Sequence, residues 1–285
     1  MDILDTYNDI ISLTRQMNGV FDLSLWEQYI RRISSELWQK VTEDSKNYDY
    51  NRDILPVMTA LINKPDKINE AHESFLTAVN GLDEKMQSVV GMELPVQLVF
   101  YIGLCNGAGW ATRLDGKPTV LLGIEKIIEL DWCDKETMSA LIYHELGHIW
   151  HDAAGTLRRD TDNMRDKYVW QLFQEGIAMF FEQMLFGDFS YYHQNKNGWL
   201  NWCTANKNDL NAEYLRRLQS NESAQDFFGD WQNYKGYSDV GYYIGCEFVK
   251  FLRQKYSMDE LANMEIDVVF YNLCKYVSKP EVVTE

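Results

Sequence analysis

His144-Glu145-Leu146-Gly147-His148-Ile149-Trp150-His151 (HELGHIWH), followed by FQEGIAMFFEQM over Phe173–Met184, is the pair of segments on which the fold turns. The chain has only five histidines in 285 residues, and three of them fall in the first segment. The spacing of Met138, Leu141 and Ile142 with the histidines predicts a helix, capped by Asp134 and stopped near Gly155. On such a helix His144 and His148 stand one turn apart and about 40° apart around the axis, so their imidazoles can close on one ion, as zinc requires. Glu145 lies about 100° round from His144, badly placed as a ligand but well placed to reach a water held by the metal.

The third ligand sets the subclass. His151 shares the face, yet it sits about 10 Å along a straight helix from His144. No glycine follows His148 at the position that would turn the chain towards a third histidine, so His151 reads as a neighbour of the site or a surface group. Glu175 is the better candidate. It lies in a second helical segment, and Gly176 and Ala178 beside it are small enough to let that helix approach the first, as Gly147 does from the other side. Two nitrogens and one carboxylate oxygen then leave a fourth position for water. Glu182, seven residues on, reads either as an acid that orients a ligand histidine or as an exposed side chain.

Outward from this pair, residues 95–125 change character. VQLVFYIGL from Val96 and TVLLGIE over Thr119–Glu125 are short, β-branched and aromatic, and turn formers fill CNGAGWATRLDGKP between them. They predict a small antiparallel sheet, with Thr119–Glu125 along the edge of a cleft where an extended substrate could add a strand. The first ninety residues read as helical. Ser24 to Glu27 is a capping box, and Leu25, Trp26, Tyr29, Ile30, Ile33, Leu37 and Val41 recur near a 3.6-residue period. Glu43–Asp53 reads as a polar loop, and a further helix runs from Pro65 towards Gly81. GTLRRDTDNMRD, from Gly155, reads as a surface loop. A helix that contains Trp170–Leu185 ends near Gly187, and others follow around Asn211–Gln219, Gly241–Tyr256 and from Met258, where Ser257 and Glu260 form a second capping box.

The fold class is therefore α+β and predominantly helical: a small sheet beside a zinc-binding helix pair, flanked by N- and C-terminal helices. Three regions follow: 1–92 helical, 93–190 a zincin-like catalytic core, and 191–285 helical, completing the cleft. Charge narrows the function. With 43 acidic against 27 basic side chains the net charge is −16, which repels phosphate backbones and anionic lipid. Nucleic-acid and membrane partners are not expected, and the longest apolar run, Val96–Leu104, is too short to span a bilayer. The opening residues carry Asp2 and Asp5 and no basic residue before Arg15, unlike a secretory signal. Five scattered cysteines, none at metal-binding or CxxC spacing, predict neither disulfides nor a thiolate site. A cytoplasmic location is expected.

HELGHIW followed by QEGIAMFFE resembles the gluzincin metallopeptidases, which pair a two-histidine helix with a downstream E-G-x-A helix. The arrangement is most similar to the uncharacterised bacterial families of predicted zinc-dependent proteases, over about Val96 to Leu252. Two features depart from the pattern. The 26 residues 149–174 between His148 and Glu175 are more than gluzincin aminopeptidases place there, and Gly91-Met92-Glu93 is only a fragment of their G-x-M-E-N motif. The resemblance implies one Zn2+ on His144, His148 and Glu175, Glu145 as general base, and a peptide or protein substrate. It also implies that Tyr242, three residues before Gly245, stabilises the transition state, with Tyr237 and Tyr243 as substitutes. Two other functions fit the same residues: a non-catalytic zinc-binding interaction module on this scaffold, and a zinc hydrolase of a non-peptide amide.

Overall fold

The computed structural model describes residues 1–157, 161–229 and 231–278. It is mostly helical with one four-stranded sheet. In chain order the elements are β1 (Asp2–Asp5), α1 (Tyr7–Met17), α2 (Leu23–Ile33), α3 (Ser35–Asp44), α4 (Leu55–Ile62), α5 (Pro65–Val79), α6 (Leu82–Val89), β2 (Gln97–Tyr101), β3 (Gly109–Leu114), β4 (Lys117–Gly123), α7 (Ile124–Glu129) and α8 (Lys135–Ala154). There follow α9 (Met164–Phe186), α10 (Trp199–Ala205), α11 (Lys207–Gln219), α12 (Val240–Arg253), α13 (Met258–Ala262) and α14 (Ile266–Ser278). The chain divides into two compact units, Met1–Ile149 and Trp150–Glu285. No described helix is long and apolar enough to cross a membrane.

The sheet is mixed rather than antiparallel, in the order β1-β2-β4-β3. β1 and β4 both run parallel to β2, and only β3 and β4 pair antiparallel. The reason is the Asp115-Gly116 turn. Both residues have positive φ (50° and 78°), the conformation a two-residue hairpin needs. It folds β4 back inside β3, so that β4 lies between β2 and β3. The strand expected at a cleft edge is thus bonded on both sides and starts at Lys117. The edge belongs to β3, in the stretch read as a turn-rich connection.

Other local differences have local causes. Asp22, not Ser24, caps α2, its carboxylate accepting from the Ser24 and Leu25 amides; the helix therefore starts two residues earlier than the capping box implied. Glu43–Asp53 is not an open loop. α3 runs to Asp44, and a 3-10 turn at Ser45–Asn47 and a wide turn at Tyr50–Ile54 fill the rest. Of the GTLRRDTDNMRD stretch, positions 158–160 lie outside the described residues, and Met164, Arg165 and Asp166 already belong to α9, capped by Asn163. The Ser257/Glu260 capping box is present at α13.

In the first unit the core lies against the sheet. Leu98–Tyr101 and Thr119–Gly123 are buried, with Trp26, Tyr29 and Phe75 among the largest enclosed side chains. Trp26 Nε1 donates to the Ile102 carbonyl at 3.1 Å, and the Ile102 amide donates to the Tyr29 hydroxyl at 3.1 Å, which ties α2 to the end of β2. The chain then turns through Gly103–Ala108 into β3. Glu125, in the first turn of α7, holds this turn: Oε2 accepts from Gly103 N–H at 2.9 Å and Oε1 from Cys105 N–H at 3.1 Å. Burial pushes the Glu125 carboxyl up to about 7, more than the two amides pull it down.

The folded carboxyl thus binds its proton more tightly than the unfolded chain, whose value is 4.5, so its contribution to stability is complete below pH 4.5 and is lost as pH rises through about 7. The loss is on the order of 3 kcal/mol. Glu125→Gln removes the titration and adds a pH-independent offset from one mismatched amide. Urea unfolding at pH 5 and pH 8 should show the variant gaining on the wild type by that order at the higher pH; a difference that stays constant with pH would contradict the account.

Candidate metal centre

α8 begins where Asp134 accepts from the Thr137 amide at 2.9 Å and the Thr137 hydroxyl at 2.7 Å. It is buried over most of its length. His144 is 3% exposed, Glu145 7%, and His148 is half-buried. The helical repeat sets the two imidazole rings edge-on, with centroids 4.9 Å apart and planes at 83°. Ligand atoms of His144, His148 and Glu175 all lie within 4.8 Å of one another. Tetrahedral zinc with ligands 2.0–2.1 Å out holds them about 3.4 Å apart, so the three side chains need only draw in slightly around an ion. Two neutral nitrogens and one carboxylate are the donor types of a hydrolytic zinc site, and here they fit.

Glu145 stands apart from that group. Its Oε2 accepts the Ala111 amide of β3 at 2.8 Å, and its side chain lies across Gly109. Neither β3 residue was singled out from the sequence. The signal that could have found them is Asp115-Gly116, a strong hairpin dipeptide, with an alternating stretch just before it.

α9 carries Glu175, and its next residue meets α12. A Cβ on Gly176 would run into the Gly245 backbone, and one on Gly245 would stand 2.6 Å from the Leu172 carbonyl oxygen and 3.2 Å from the Gly176 amide nitrogen. The small residue beside Glu175 therefore serves the crossing of α9 with α12, where the sequence suggested an approach to the HELGH helix. Tyr242, one turn before Gly245, is half-buried in the first turn of α12, its amide donating to the Asp239 carbonyl and its ring edge-on to Phe228. Because Glu175 and Tyr242 each sit within one turn of the glycine pair, the crossing fixes both.

The substitutes for Tyr242 are engaged elsewhere. Tyr243 is 4% exposed among Tyr192 and Trp199, and burial pushes its hydroxyl up to about 12. Tyr237 stacks on Trp202 at 4.1 Å. His151 is not at the surface: it is fully buried against Trp170 and Phe173, and is absent from the ligand group. Glu182 is not exposed either. It is fully buried, its Oε2 2.8 Å from Nδ1 of His193, a histidine outside the ligand group. Burial also pushes the thiols of Cys133 up to about 11 and of Cys203 and Cys246 up to about 12, so none of these three is a thiolate nucleophile at neutral pH.

No protein-family model matches this chain, and neither does any curated protein or any solved structure.

The glycine crossing makes a direct forecast. Gly245→Val places branched carbon against the Leu172 carbonyl, and overpacking of that kind costs about 1–3 kcal/mol. The urea midpoint should fall accordingly with an unchanged m-value. A variant as stable as the wild type would show that the backbones do not touch there.

Proposed function

We propose that this protein is a zinc-dependent metallopeptidase of the gluzincin type, with His144, His148 and Glu175 as ligands. The observation that carries the reading is the convergence of two imidazoles and a carboxylate, from two successive helices, with an acid next to the first histidine. A zinc ion bound there supplies a water acidic near neutral pH and a Lewis acid for a carbonyl oxygen. The chain's own groups do the rest. Glu145 takes the proton from the attacking water and passes it to the leaving nitrogen. Tyr242 donates a hydrogen bond to the oxygen on which negative charge develops. β3, as the edge strand, offers backbone groups to an extended peptide. The acidic surface favours neutral or basic peptides by steering. A cytoplasmic location accords with cysteines that are not disulfide-linked and are mostly buried.

Elemental analysis beside a peptide-library assay tests this. The wild type should carry one equivalent of zinc and lose turnover to a chelator, and Glu175→Ala and His148→Ala should lose the metal. Glu145→Gln should keep zinc while turnover falls about 10³-fold or more. Zinc bound without turnover of any peptide would instead favour the non-catalytic module. Undiminished zinc in Glu175→Ala would remove that residue from the ligand set.

A further inference from the structure

The carboxylate that the proposed mechanism uses as base is already engaged by backbone. The Gly123 amide donates to the Ala108 carbonyl at 3.0 Å, which sets the phase of the β3–β4 ladder. Hydrogen-bonded positions alternate in an antiparallel pair, so the amides of Gly109, Ala111 and Arg113 turn away from β4. β3 ends the sheet order, and among the described residues no further strand pairs with that side. The outward amide of Ala111 is spent on Glu145 Oε2 at 2.8 Å. The rest of the Glu145 side chain lies flat against Gly109. A Cβ there would stand 2.5 Å from Oε1, 2.7 Å from Cγ and 2.8 Å from Cδ, closer than carbon atoms approach. Position 109 therefore has to be glycine for the carboxylate to rest where it does.

An amide has one proton and supports one good acceptor. A peptide strand adding to β3 needs the outward amides, and Glu145 holds one of them, so peptide carbonyl and carboxylate compete for Ala111. We propose that β3 parks Glu145 through the Ala111 amide and the bare Gly109 Cα, and that a peptide backbone pairing with β3 takes this amide and frees the carboxylate to act as base. Gly109 and Ala111 are then positioning residues, and the base is released only beneath a properly aligned substrate. The release step rests on the peptidase reading, whereas the parked contact stands without it.

Two measurements separate these parts. The first needs no activity: amide exchange by NMR on the protein as purified. Ala111 should exchange slowly in the wild type and in Glu145→Gln, whose amide oxygen still accepts. It should exchange about tenfold faster or more in Glu145→Ala. Trp110 and Thr112, whose amides face β4, should stay protected in all three and so report an intact strand. Equal exchange at Ala111 in the wild type and Glu145→Ala would overturn the parking.

The second is kinetic, on zinc-loaded protein. Ala111→Pro deletes an amide that the ladder does not use, on an edge strand where proline is tolerated. For extended peptides KM should rise about tenfold, since one backbone bond is lost. For a one-residue chromogenic amide, too short to reach Ala111, kcat should rise, because the base is no longer held. An equal fall in kcat for both substrates would mean that the amide orients the base instead of parking it, and would overturn the release. A wild type that protects Ala111 yet hydrolyses nothing overturns the peptidase reading and the release together, while an active enzyme with unprotected Ala111 overturns the parking alone.

Discussion

The burial of α8 is the constraint on which the rest of the structure depends. Leu146, Ile149 and Trp150 are enclosed, and so are His144, Glu145 and His151. A helix hidden on so much of its circumference carries polar groups away from water, and each has to be answered by the surrounding chain. The Ala111 amide answers Glu145 and rings of Trp170 and Phe173 enclose His151, while His144 and His148 fall into reach of Glu175. Four side chains one or a few residues apart thus meet three different environments. That is the arrangement a site needs when one group binds, one moves a proton and one only packs.

Backbone contact does much of the positioning. The glycines of α9 and α12 meet with no side chain between them, so the helix carrying Glu175 and the helix carrying Tyr242 have little freedom to slide. Gly109 plays the matching part in β3, where the missing side chain leaves space that a carboxylate fills. At each place a larger residue would push a functional group aside without touching it chemically.

The sequence made the local features legible and concealed the distant ones. The i, i+4 histidines, the Asp134 cap, the Ser257/Glu260 box and the stop at Gly187 are each decided within one or two turns, and each is found where it was expected. Glu175 joins the histidines for a reason the sequence could only suggest, and Gly176 beside it turned out to face α12. The strands were harder. β1 pairs with a strand more than ninety residues away, and nothing within Asp2–Asp5 announces a partner. β3 was hidden by its own composition, because Gly107, Gly109 and the Asp115-Gly116 pair read as turn chemistry although the residues between Gly109 and Asp115 are a strand. For His151 and Glu182 only the surface alternative fails, for the opposite reason: polar side chains are usually outside, and only tertiary packing shows that these two are not.

The missed strand is also the one on which the proposed mechanism leans most. β3 is reached through Gly103–Ala108, and that turn is held by Glu125, a carboxyl with no water around it. Two acids thus define the path of one strand. Glu125 fixes its entry by accepting two amides at the expense of its own hydration, and Glu145 occupies its exposed edge by accepting a third. The first is a static anchor, because the Gly103 and Cys105 amides are buried together with the acid that accepts from them. The second is exchangeable, because an edge amide is open to any chain that arrives in register. The same hydrogen bond, carboxylate to backbone N–H, therefore serves as a fastening where the strand is enclosed and as a latch where it is not, and the sheet order alone decides which.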